Sequence, residues 1–170
     1  GVPALLFNLV SLGVGYLVKE KVLSRRTPAG RAAVAQVSLA ILPFRNASGD
    51  PSLDWLGTSL AEMLRTDVGQ SPSLRTVSSD RVHQILRDLR ISPTADHDQD
   101  TLRRLGEFVN AERIVLGQYV RGGQQIRIDA TLHDLKAQRT LSLKAEAPNE
   151  NELLRAVQHL AQQIQQNLAL

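Results

Sequence analysis

The stretch from Arg113 to Asp134 restricts the fold more than any other part of this 170-residue chain. From Gln125 onward it alternates: Ile126, Ile128, Ala130 and Leu132 point one way, Arg127, Asp129, Thr131 and His133 the other. A strand turns successive side chains to opposite faces, so this segment belongs to a sheet with one dry and one polar face. Ile114 to Val120 is a short apolar run, and Gly122 and Gly123 between the runs suit a tight hairpin turn, where positive φ angles carry no steric cost. Leu141, Leu143, Ala145 and Ala147 alternate again after a polar turn at residues 136–139. The three runs predict an antiparallel meander whose dry face needs helices to cover it.

The elements around the meander follow from their own patterns. Val37 to Phe44 is a nearly continuous apolar run, as expected of a central strand covered on both faces, with Pro43 at its end. Arg45 to Pro51 is a loop of turn formers in which Asp50 suits an N-cap and Pro51 a first helical residue. Leu53, Leu56, Leu60, Leu64 and Val68 then form one helical stripe that Gly69 and Pro72 end. A short strand over 74–77 follows. A second helix, capped by Ser79, turns Val82, Ile85, Leu86 and Leu89 inward. A third, capped by Asp100, carries Leu102, Leu105 and Val109. After the meander, Asn149 and Glu152 resemble a capping box that opens a last helix. The order β-α-β-α-α-β-β-β-α predicts an α+β fold, a mixed β-sheet with helices packed on one face.

The chain has no cysteine, which excludes disulfides, thiolate catalysis and cysteine-ligated metals. Its +3 charge is unevenly placed: residues 19–31 hold five basic residues against Glu20, leaving the rest of the chain one charge negative. A nucleic-acid binder carries its positive charge on the fold itself, so no nucleic-acid partner is expected. Residues 1–18 contain no charge and are expected to form a transmembrane segment near the lower length limit. Residues 19–35 read as a basic juxtamembrane linker, and 36–170 as the folded domain. Basic flanks usually stay cytoplasmic.

No catalytic constellation stands out. His83, His97, His133 and His159 lack metal-ligand spacing, no G-x-S-x-G surrounds Ser48, and no glycine loop precedes a helix as phosphate binding requires. Asp96, Asp98 and Asp100 with His97 read as a solvated loop and cap rather than a metal site. Arg103 and Arg104 read as a solvated helix face. No enzyme activity, no metal and no cofactor are expected of this segment. Two binding surfaces are expected instead. One is the loop Arg45, Asn46, Ser48 and Asp50, where free N–H groups at the helix start favour an anion. Trp55, one position off the buried stripe, adjoins it, with core packing its favoured role. The other is the polar sheet face with Arg127, Asp129, Thr131 and His133, which suits a protein partner or a small ligand.

Ser38-Leu-Ala-Ile-Leu-Pro-Phe-Arg-Asn-Ala-Ser-Gly-Asp-Pro51 resembles the opening of the TolB amino-terminal-like (FlgO-related) domain. Leu56-Gly-Thr-Ser-Leu-Ala-Glu-Met-Leu64, Leu105-Gly-Glu-Phe-Val109, Val115 to Gly123 and Ile126 to Asp134 continue the resemblance in register over residues 36–168. Two features depart from it: Leu135 to Arg139 replaces the usual Asp-Ala-Thr-Gly turn, and the strand after it has no Trp. The resemblance implies a domain following a membrane helix in a bacterial signalling protein. Such proteins include eukaryotic-like Ser/Thr kinases, winged-helix regulators and cyclases, often with tetratricopeptide repeats. It implies an inner-membrane anchor and an extracytoplasmic domain, against the side that the basic flank favours. The alternative that it implies is an envelope assembly or docking component, as among TolB and FlgO relatives.

Overall fold

A computed structural model describes residues 36–93 and 96–168. The expected transmembrane segment and basic linker lie outside these residues. Among the described residues no helix is long and apolar enough to cross a membrane.

The strands are β1 (Val37–Ile41), β2 (Arg45–Asn46), β3 (Leu74–Thr76), β4 (Arg113–Gly122), β5 (Gln125–Asp134) and β6 (Arg139–Ala147). The helices are α1 (Trp55–Val68), α2 (Ser79–Asp88), α3 (Gln99–Val109) and α4 (Leu153–Leu168), with single 3-10 turns at Pro51–Leu53 and Glu150–Glu152. The six strands form one mixed sheet in the order β3-β1-β4-β5-β6, with β2 beside β4. β1 runs parallel to β3 and β4, and the meander β4-β5-β6 is antiparallel. Thus the expected class and meander stand, with β2 as an added short strand.

The helices do not all lie on one face. β1 is apolar on both sides, so both must be covered. Leu39 and Ile41 pack with Val115, Tyr119, Ile126 and Ile128 under α1 and α4. Ala40 and Leu42 pack with Ile114 under α2 and α3, through Val82, Leu86, Leu102, Leu105 and Val109. β1 and the inner half of β4 therefore form a true interior, whereas β5 and β6 are covered on one face only, by α4.

Glycine makes two of the tight connections. A Cβ on Gly57 would collide with the Phe44 carbonyl oxygen, so glycine there lets α1 approach the end of β1; the Phe44 N–H donates to the Gly57 carbonyl at 3.1 Å. Gly123 turns the β4–β5 hairpin with φ +62°. Arg65 of α1 joins the same layers, donating to the carbonyls of Ile41 (3.0 Å) and Val77 (3.1 Å). The caps sit slightly earlier than the sequence suggests. Ser78, not Ser79, accepts the Arg81 N–H at α2, and Asp98, not Asp100, accepts the Thr101 N–H at α3. A cap needs extended backbone just outside the helix, and these two residues have it. Asn149 caps as expected, through the Glu152 N–H, but opens a 3-10 turn before α4.

Candidate functional site

The register of the meander sets out a grid on the face that α4 leaves bare. Reading from β4 through β5 to β6, the rows are Gln118–Asp129–Lys144 and Leu116–Thr131–Ser142, with Ile114–His133–Thr140 below them and Val120–Arg127–Glu146 above. α2 and α3 cover the β1 side of this face as far as Ile114, with Leu116 at their margin. Beyond that margin lies a cavity of about 810 Å³. Its floor is the two middle rows of the grid with Arg127 and His133 at their ends, and its walls include Pro43 and Arg45 from the chain after β1, and Pro93, Asp96 and His97 from the α2–α3 connection.

The sequence candidates Arg45, Arg127, Asp129 and His133 all line this cavity. Arg45 Nη2 donates to Gln118 Oε1 at 2.8 Å, and its Nη1 lies 3.6 Å from Asp96 Oδ1, so the guanidinium ties β2 to β4 and to the wall. Arg127 Nε donates to Asp129 Oδ1 at 3.1 Å, two residues along the same strand face. His133 is held through both ring nitrogens, Nε2 3.1 Å from Thr131 Oγ1 and Nδ1 3.3 Å from Thr140 Oγ1. Burial without a carboxylate partner pushes its pKa below the usual 6.5, which keeps the ring neutral at physiological pH. The Nε2 of His97 is buried and has no hydrogen-bond partner among the described residues. The site therefore offers guanidinium and ammonium groups at one end, hydroxyls and a neutral imidazole at the other, and proline walls.

Asn46, Ser48 and Asp50 lie outside this cavity and serve the loop itself. The Asn46 amide donates to the Asp50 carbonyl (2.7 Å) and to Asp54 Oδ1 (2.8 Å), and its Oδ1 accepts the Ser48 N–H (2.9 Å). Ser48 Oγ accepts the Arg121 N–H at 2.8 Å. Asp50 Oδ1 accepts both the hydroxyl (2.7 Å) and the N–H (3.0 Å) of Ser52, and these bonds hold its carboxyl below the usual range. The expected anion site at this helix start is therefore closed. The Ser52, Leu53 and Asp54 N–H groups are already taken by Asp50 and Pro51, and Asp50 and Asp54 would repel an anion. Trp55 also differs from its favoured core role. It is 58% exposed, because the 3-10 turn inserts Leu53 into the core and leaves Trp55 outside the stripe.

In the acidic run past α2, Asp98 is a cap, Asp100 pairs with Arg103 at 3.0 Å, and Asp96 faces Arg45. Among the described residues no group of three or more His, Asp or Glu side chains is placed to hold a metal ion. Sequence reasoning missed Gln118, Ser142, Lys144 and His97. The alternation of the third meander strand contains Ser142 and Lys144, but only the pairing register puts them beside Thr131 and Asp129. His97 reads in the sequence as part of a solvated loop, and only the fold makes that loop a cavity wall.

No protein-family model matches the chain, and no curated protein matches its sequence. Solved structures do resemble it. The LpoB C-terminal domain from Salmonella enterica superposes with a TM-score of 0.55 at 14% identity, covering 73% of this chain and 90% of that one. TolB from Acinetobacter baumannii gives 0.54 at 18% identity, over 78% of this chain and 28% of TolB. The LpoB C-terminal domain from Escherichia coli gives 0.53 at 14% identity, over 68% and 84%. The likeness carries no link to kinases or to FlgO. Its match to TolB corresponds to little more than a quarter of that protein. At these identities what is shared is the fold: residues 36–168 adopt a TolB- and LpoB-like α+β architecture.

Proposed function

We propose that this domain is a docking module of a bacterial cell-envelope assembly, and that its partner occupies the open half of the sheet. The observation that carries this reading is the cavity, which gathers Arg45, Arg127, Asp129 and His133 from two separate parts of the chain. A polar sheet face that merely meets solvent needs no walls. Here Arg45 and the α2–α3 connection build one, and proline side chains give it a dry surface. The TolB-like fold supports the envelope setting, which the sequence resemblance implies for TolB relatives. Thr131 Oγ1 lies 3.1 Å from His133 Nε2 on the cavity floor, but the other ring nitrogen faces the Thr140 hydroxyl rather than a carboxylate that would orient the ring as a base, which favours binding over chemistry.

A second reading keeps the same cavity for a small ligand, in a sensory domain of a membrane-anchored signalling protein such as a Ser/Thr kinase. The cavity volume favours it, because small-molecule sites occupy about 300–1,000 Å³. Both readings set the domain outside the inner membrane, held by residues 1–18.

The chain has no cysteine, so Thr66→Cys, at an exposed position of α1 away from the cavity, gives a single probe that a docked partner leaves accessible. Any thiol elsewhere in the full-length protein would first be replaced. A membrane-impermeant thiol reagent is expected to label it in intact cells. Labelling only after lysis would contradict the envelope setting.

A further inference from the structure

The sheet ends in two edge strands, the short β3 and the long β6, and among the described residues no strand lies beyond β6. All nine of its residues pair with β5, and in an antiparallel ladder alternate residues turn their N–H and C=O groups toward or away from the neighbour. The Lys144 carbonyl accepts the Gln163 side-chain amide at 2.9 Å. Lys144 therefore directs its backbone outward, and by the two-residue period so do Thr140, Ser142 and Glu146. An edge of this kind is a template for another strand.

The side chains along the edge carry an ordered pattern of charge. Asp129 stands beside Lys144 in one cross-strand row, and Arg127 beside Glu146 in the next. We propose that β6 pairs antiparallel with β6 of a second copy of this chain, about a two-fold axis through Ala145. In that register Lys144 faces the partner's Glu146, and Glu146 faces the partner's Lys144. Each row then alternates in sign across four strands: Asp129, Lys144, the partner's Glu146, the partner's Arg127. Opposite charges directly across a ladder attract and like charges repel, so the pattern selects its own register.

Neighbouring registers lack this match. An axis through Lys144 sets two lysines against each other. An axis through Leu143 sets Lys144 against the partner's Ser142 and Glu146 against the partner's Thr140, leaving four charges unmatched. Pro148 directly follows the strand and has no N–H to donate, so it limits the ladder at that end. An edge lysine ordinarily keeps sheets apart. Here Glu146, two residues on, gives the lysine a mate in one arrangement, and Gln163 competes for the same carbonyl and moderates the pairing. The result is a single continuous sheet with both cavities on one face. The pairing is independent of what the cavity holds, so its failure leaves the docking reading intact.

Sedimentation equilibrium of the 170-residue chain in nonionic detergent, up to submillimolar concentration, tests the proposal. The unaltered chain is expected to dimerise. Lys144→Glu alone and Glu146→Lys alone should each dimerise about tenfold more weakly, because both inter-subunit pairs become like-charged. Their equimolar mixture should recover the dimer, since each variant then supplies what the other lacks. Gln163→Ala frees the Lys144 carbonyl and should tighten it. If a charge variant fails to fold by circular dichroism, Ala145→Cys gives an independent reading. Residues on the axis form a close pair within disulfide reach, so mild oxidation should link two copies at this position alone. A chain monomeric throughout, single charge variants that dimerise like the parent, or a mixture that stays monomeric would each overturn the proposal. So would an Ala145→Cys variant, a small change at a buried position, that folds by circular dichroism and does not cross-link.

Discussion

The two faces of the sheet are finished differently. On one, α1 and α4 cover every strand from β3 to β6, and the buried layer is leucine, isoleucine, valine and alanine with Phe44 and Tyr119 among them. On the other, α2 and α3 cover β1 and the inner half of β4, and the remainder carries Thr131, His133, Ser142, Arg127, Asp129 and Lys144 around a cavity. The closed face holds the molecule together and tolerates little change. The half-open face contributes less to stability and is free to carry recognition. Such a division is what a docking module needs, because binding residues can vary without loss of the fold.

Substitutions sharpen the contrast, beginning with the closed face. Leu60→Ala, at a fully buried position of α1, should cost about 3 kcal/mol in urea denaturation, against less than about 0.5 kcal/mol for Thr131→Ala or Ser142→Ala. Comparable losses at both faces would break the comparison. Gly57→Ala should cost about 2 kcal/mol, because the Phe44 carbonyl that it meets is backbone and cannot step aside. Tyr119→Phe removes the hydroxyl that donates to the Leu53 carbonyl at 2.5 Å inside the core, and should cost about 1 kcal/mol.

Two smaller effects depend on pH. His133 has its folded pKa lowered by burial, so the unfolded chain takes up the proton first as pH falls through about 6.5. Stability contributed by the neutral ring is therefore present above that pH and lost below it. His133→Gln should flatten the stability profile between about pH 7 and 5, and an unchanged slope would remove His133 as its source. Asp67 is the polar group that the closed side serves badly. Among the described residues its Oδ2, buried in the last turn of α1, has no partner, and burial raises its pKa. A carboxylate there also opposes the helix dipole, so Asp67→Asn should stabilise by about 0.5 kcal/mol at neutral pH. The gain should vanish in acid, where Asp67 is protonated.

How much of this was legible in the sequence follows from how local each signal is. The alternation of Ile126, Ile128, Ala130 and Leu132 stated the closed face of β5 outright, and the apolar run at β1 stated burial on both sides. That run already required helices on both faces, although the strand and helix order alone pointed to one. Arg127, Asp129 and His133 were legible as a shared face because a strand's period places them together. Arg45 joined them through tertiary contacts that no local pattern encodes, and so did the wall carrying Pro93 and His97. Trp55 misled because its helix begins one turn after the loop's first turn. Asn46, Ser48 and Asp50 misled because turn-forming side chains bond to their own loop as readily as to a ligand.

The most direct test of the half-open face as the docking surface compares thiol labelling rates at two positions in this cysteine-free chain. Ser142→Cys lies on the cavity floor, and Thr66→Cys on the exposed side of α1. Each would be labelled in purified protein and in membranes from the source cells. The account predicts slowed labelling in membranes at position 142 and an unchanged rate at 66. Equal rates at 142 in both preparations, or protection at 66 instead, would contradict it.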